Sequence, residues 1–160
     1  MLAAAGIMAF SPAPALAAPG EDTQPGDGID SYPLARGDYT VSGPSNFGWV
    51  FFRTSDGRSC GIAPNGGPVG CDAVAAGAPV GANQIVATGW SAAEYRQSQT
   101  ATFTRDAPVL PAGQRVETLG AGCAVDFQGS VHCLTQGDHG FILSADDAVL
   151  WQPGLGLGPG

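Results

Sequence analysis

The chain of 160 residues has no lysine, two histidines, two methionines and three glutamates against eleven aspartates. Its six arginines, at positions 36, 53, 58, 96, 105 and 115, form no stripe, and the formal net charge is -8. Proteins hold phosphate backbones by displacing counterions with Lys and Arg, so this composition argues against a nucleic-acid partner. Long apolar runs are also missing. The longest, before the first proline, is about ten residues and cannot form an integral membrane span. No C-x-x-C pair exists, which removes a thioredoxin-like redox pair and the usual four-cysteine zinc site. Nor is there a sustained helical period of apolar residues. With 25 glycines and 13 prolines, the chain is suited to turns and short strands.

What is present is a short motif written twice. Cys60-Gly61-Ile62 leads through Pro64-Asn65-Gly66-Gly67-Pro68 to Val69-Gly70-Cys71, and Cys123-Ala124-Val125 leads through a Gly-bearing turn to Val131-His132-Cys133. All four cysteines lie in these copies. Cysteines ten or eleven positions apart can face each other across a hairpin at disulfide distance, so the expected pairs are Cys60–Cys71 and Cys123–Cys133. Paired cysteines need an oxidising compartment.

Residues 1–17, ending Ala15-Leu16-Ala17, read as a signal peptide with a small-x-small cleavage site, although no basic residue precedes the apolar run. Residues 18–45 are rich in Gly, Pro and Asp and read as a flexible N-terminal arm, with 39–41 as an edge strand. That arm contains Arg36-Gly37-Asp38, the tripeptide integrins read on exposed loops. Residues 46–151 form the domain and 152–160 a disordered tail.

Within the domain, strands are expected at 47–53, 84–88, 100–104 and 114–119, with a closing hairpin of 141–143 and 148–151 turned at 144–147. Ser91-Ala92-Ala93-Glu94 has capping-box form and predicts one helical turn through Tyr95 and Arg96. The fold class is all-β: a small disulfide-stapled sandwich or barrel built from two pseudo-repeated cysteine hairpins.

Phe52-Arg53-Thr54, the run from Cys60 to Asp72, Leu110-Pro111-Ala112-Gly113-Gln114, Cys123, Val131, Cys133 and His139-Gly140-Phe141-Ile142-Leu143-Ser144 together resemble a group of small exported actinobacterial proteins, mycobacterial ones especially. The resemblance covers about residues 47–151 and implies export. It brings no known activity. Many of those proteins carry further cysteines between the two motifs, which this chain lacks.

Candidate functional residues are few. Asp138 and His139 offer a carboxylate beside a base, although neighbours in an extended strand face opposite ways. Ser91 sits in Gly89-Trp90-Ser91-Ala92-Ala93, which lacks the final glycine of a hydrolase elbow. His132, between Val131 and Cys133, is expected at an exposed strand position. Trp90 and Tyr95 are candidate contact residues. No residue set calls for a metal or a cofactor: the Asp-rich segments do not match a calcium loop and the C-terminal glycines do not form a dinucleotide motif. The sequence therefore favours a non-enzymatic binding domain for an envelope or extracellular ligand. A secreted hydrolase using Asp138 and His139 with Ser91, and a structural envelope component, are the alternatives.

Overall fold

The structure, a computed structural model, describes residues 28–151. The signal segment 1–17, residues 18–27 of the arm and the tail 152–160 lie outside the described residues. Ten strands follow in order: β1 (Val50–Arg53), β2 (Ser59–Ile62), β3 (Val69–Cys71), β4 (Gln84–Thr88), β5 (Ser91–Arg96), β6 (Gln114–Thr118), β7 (Ala121–Val125), β8 (Val131–Leu134), β9 (Gly140–Leu143) and β10 (Ala148–Trp151). They form two antiparallel meanders of five strands, β1-β2-β3-β4-β5 and β6-β7-β8-β9-β10. The all-β expectation holds.

Both cysteine pairs close locally as the hairpin spacing requires. Cys60 opposes Cys71 between β2 and β3, and Cys123 opposes Cys133 between β7 and β8. Their Cα separations of 4.0 and 4.1 Å are those of closely opposed antiparallel partners. The next register pairs also correspond: Cys71 faces Ile85 in one sheet and Cys133 faces Phe141 in the other. Each half therefore places its disulfide in the second and third strands of a meander.

The sheets pack face to face. Phe52, Ile62, Val69 and Ile85 of the first meet Val116, Val125, Val131, Phe141 and Leu143 of the second around the two disulfides. Strand alternation sends these residues inward and their neighbours outward. On the first sheet, the outward positions are themselves covered. Phe103 lies over the bare backbones of Gly61 and Gly70, and Trp49 stacks on Phe51 with centroids 5.3 Å apart. Burying Phe51 and Phe103 in this way contributes about 2 kcal/mol each.

Three turns share one construction. In 54–58, 126–130 and 135–139, the first residue's N–H donates to the fifth residue's carbonyl, and the fifth residue's N–H donates to the first residue's side-chain oxygen. The fourth position has positive φ in each: Gly57 at 93°, Gly129 at 88° and Asp138 at 60°. Glycine takes that conformation freely, and aspartate tolerates it better than most residues.

Several sequence expectations need correction. Residues 91–96 are strand β5, not a helical turn: Ser91 N–H donates to Thr88 Oγ1, closing a turn, while Glu94 pairs outward with Arg96. The two helical turns among the described residues are single 3-10 turns at Ile29–Ser31 and Pro44–Asn46. Residues 100–104 are loop rather than strand, because Phe103 N–H and Thr104 Oγ1 donate to the Asp72 carboxylate instead of a neighbouring strand. Residues 39–41 form no strand; Phe51 N–H donates to the Tyr39 carbonyl as a single link. In the described part of the arm, Ile29 is 5% exposed and Tyr39 8%, and Leu34 bridges to Arg115 of β6. This stretch packs on the sheets despite its polar composition.

Candidate functional site

The turns gather at two ends of the sandwich. At one end lie 63–68, 89–90, 119–120 and 135–139; at the other, 54–58, 72–83, 126–130 and 144–147. The first end is held by backbone contact. Gln136 N–H donates to the Gly66 carbonyl at 3.2 Å, Thr135 Oγ1 donates to the Thr88 carbonyl at 3.3 Å, and Gly137 lies directly against the Gly89 carbonyl. Any side chain at 137 would collide with that oxygen.

Between these turns is a shallow depression of about 310 Å³ lined by Asn65, Gly66, Gly67, Gly89, Trp90, Gln136 and Gly137. None of these residues is charged. Trp90 stands on its rim 81% exposed, although an indole is usually at least partly buried. The backbone beneath it is fixed: Trp90 and Ser91 N–H both donate to Thr88 Oγ1, and the Thr88 and Ser91 hydroxyls lie 2.7 Å apart.

The sequence candidates divide across the molecule. Trp90 faces this depression. Asp138 lines a separate cavity of about 300 Å³ with Ile29, Glu117 and Leu134, and its positive φ makes it the counterpart of Gly57 and Gly129. It is thus explained by its turn. His139 closes the same turn through its N–H to Thr135 Oγ1, and its Nδ1 is buried with no hydrogen-bond partner among the described residues. No hydrogen bond joins His139 to Asp138 or Ser91 among the described residues, and the Ser91 hydroxyl is taken up by Thr88. Tyr95 lies five residues along β5 from Trp90, roughly 16 Å away in extended chain. It is half-buried against the core, and burial, aided by the Asp147 charge, raises its phenol pKa.

His132 does alternate away from the cysteine face but is buried at 9% exposure, not exposed as expected. Its Nε2 lies 2.9 Å from Asp126 Oδ2. Burial pushes the Asp126 carboxyl up, but the His132 hydrogen bond, the Ser130 and Gln128 N–H groups and the His132 charge together hold it below the ordinary range. In Arg36-Gly37-Asp38 all three residues are exposed, and Asp38 Oδ1 accepts from Thr40 N–H and hydroxyl, which lowers its pKa.

Sequence reasoning missed Asn65 and Gln136 as partners of Trp90. Asn65 lies 25 positions before Trp90 and Gln136 lies 46 positions after it in the opposite half of the chain, and only the gathering of turns joins them. It also missed Arg58. Its Nη1 donates to the Leu143 carbonyl at 2.9 Å and its Nη2 to the Gly129 carbonyl at 2.5 Å, and it lines a depression of about 180 Å³ at the opposite end.

Fold and site together define a class: an all-β sandwich of two disulfide-stapled five-stranded meanders, with an exposed indole over an uncharged depression at one end. No family profile, curated protein or solved structure matches the chain. No helix among the described residues is long and apolar enough to cross a membrane.

Proposed function

We propose that this chain is an exported, non-enzymatic binding domain of the cell envelope or extracellular space, and that its ligand meets the Trp90 depression. The observation that carries this reading is Trp90 itself: a large indole held in solvent by a hydrogen-bonded turn, beside an open depression of about 310 Å³. Exposed aromatic residues on a rigid base are typical anchors of recognition surfaces. Export is supported by the two disulfides, by the Ala15-Leu16-Ala17 cleavage pattern and by the resemblance to exported actinobacterial proteins. A hydrolase draws no support from Asp138, His139 and Ser91, whose polar atoms are spent on turns or stand apart.

The test is retention of components from an actinobacterial envelope extract by the immobilised protein. Wild type is expected to retain material that Trp90→Ala releases. Equal retention by both proteins, or none by either, would remove the reading.

A further inference from the structure

Resting on that reading, we infer that the Trp90 depression is a binding site for a neutral saccharide, which stacks one ring on the indole and is hydrogen-bonded by the Asn65 and Gln136 side chains. The chemistry of the lining selects this ligand class. A pyranose has one face rich in polarised C–H groups and a rim of hydroxyls. The indole's electron-rich face attracts the first, and amides, each both donor and acceptor, satisfy the second. Asn65 and Gln136 line the same depression as Trp90, and all three are exposed. Of the four glycines that complete the lining, Gly89 has open space at its Cβ position, whereas Gly66 lies under the Gln136 side chain and so holds that amide at the depression.

Other ligand classes fit less well. An ionic ligand would find no opposite charge among the seven lining residues, and the net charge of -8 repels anions at longer range. An acyl chain would strand two amides against hydrocarbon. The volume of about 310 Å³ is at the small end of ligand sites, and the depression is open, so it suits a terminal ring of a longer chain.

The opposite end of the fold strengthens the case. There the turns 128–130 and 144–145 of the second half are closed by 55–58 of the first, just as 65–67 and 89–90 of the first half are closed by 136–137 of the second. Counted back four places from the second cysteine of each motif, Gly129 corresponds to Gly67. At the Gly129 end the protein's own Arg58 supplies the donors. At the Gly67 end the position matching Arg58, two before the first cysteine, is Ala121, which has none to give. The fold thus forms two depressions, and at the smaller, of about 180 Å³, its own Arg58 already donates to the turn carbonyls.

The experiment is a titration of the isotope-labelled protein with neutral hexasaccharides of glucose, mannose and N-acetylglucosamine, read at the indole N–H signals of Trp49, Trp90 and Trp151. Phosphatidylcholine vesicles and a sulfated hexasaccharide serve as competing probes. The Trp90 signal is expected to shift saturably with at least one neutral chain while the other two stay fixed. Trp90→Ala should abolish binding, and Asn65→Ala and Gln136→Ala should each weaken it roughly fivefold, the value of one hydrogen bond. All three positions are exposed, but Asn65 has φ 62°, so Asn65→Gly, which takes that conformation without strain, accompanies Asn65→Ala, and a retained cooperative melting transition shows each variant folded. No shift with any neutral chain, preference for the sulfated chain or the vesicles, or undiminished binding by Trp90→Ala would overturn the inference. If envelope material were still retained in a Trp90-dependent manner but not released by neutral saccharides, the saccharide inference alone would fall and the binding reading would stand.

Discussion

Arg58 ties one sheet to the other through Leu143: its Nη1 donates to that carbonyl at 2.9 Å from a turn in the opposite half of the chain. The same guanidinium reaches the Gly129 carbonyl and pairs with Asp56 at 3.1 Å, with its side chain only 13% exposed. A planar fork with several donors suits two divergent carbonyls, whereas an ammonium cannot reach both in the same geometry. Arg58→Ala is expected to cost about 2–3 kcal/mol, because two carbonyl acceptors lose a charged donor. Arg58→Lys should recover less than half of that. Denaturant unfolding of the three proteins checks the order; equal stability of wild type and Arg58→Ala would show the link to be idle.

At the Trp90 end, two neighbouring glycines should behave in opposite ways. A Cβ at Gly137 would overlap the Gly89 carbonyl, whereas a Cβ at Gly89 meets nothing within 4 Å. Neither has the positive φ that would by itself disfavour alanine. Gly137→Ala is therefore expected to cost about 3 kcal/mol by forcing two turns apart, and Gly89→Ala to be neutral or slightly stabilising through the unfolded chain. Thermal unfolding of the two variants distinguishes close backbone approach from general turn flexibility as the reason for glycine at 137.

The parts of this fold legible in the sequence were those fixed by neighbours along the chain. The cysteine hairpins were readable because antiparallel partners move apart by equal steps from a turn, so Cys60 and Cys71 announce their own register. The strands 84–88 and 114–118 and the turn at 144–147 followed from local alternation and polar turn residues. What failed depended on distant groups. The Ser91 capping pattern was real as a local option, but the Thr88 hydroxyl took the Ser91 N–H first and pairing with β4 made a strand. Phe103 alternates as a strand residue would, yet Asp72, 31 positions away, claims its N–H. For His132, alternation gave the face but not whether that face was covered. The candidate site was half legible: Trp90 and the 65–67 turn tip were visible as separate features, but their meeting with Gln136 depends on how the two halves stack.

Each disulfide should stabilise its own half independently. The loops they close have sequence separations of 11 and 10, which in the chain-entropy picture correspond to about 3 kcal/mol each. Replacing Cys60 and Cys71 together by serine, or Cys123 and Cys133 together, should therefore lower stability by similar amounts, and peptide mapping of the unreduced protein should find only the two local links. A linked peptide joining Cys60 or Cys71 to Cys123 or Cys133 would contradict the hairpin pairing. A much larger loss from one pair than the other would mean that its half carries the fold's stability.

Acid should act on this protein in part through Asp126. Its carboxylate accepts from Ser130 and Gln128 N–H on one oxygen and meets His132 Nε2 on the other. Burial alone would raise its pKa, but these partners outweigh burial and lower it, so the ionised form is favoured in the folded state. A carboxylate with a depressed folded pKa contributes stability above its unfolded pKa, about 3.9, and that contribution is lost as pH falls through the lower folded value. Asp126→Asn keeps an oxygen for the turn N–H groups and removes the charge. The variant is expected to melt below wild type at pH 6, with the difference shrinking once the pH drops beneath about 4. Asp38 and Asp56, also lowered, remain in both proteins, so the difference isolates Asp126. A gap between the melting curves that stays constant from pH 6 to pH 2 would show that the His132–Asp126 contact contributes by shape alone and not by charge.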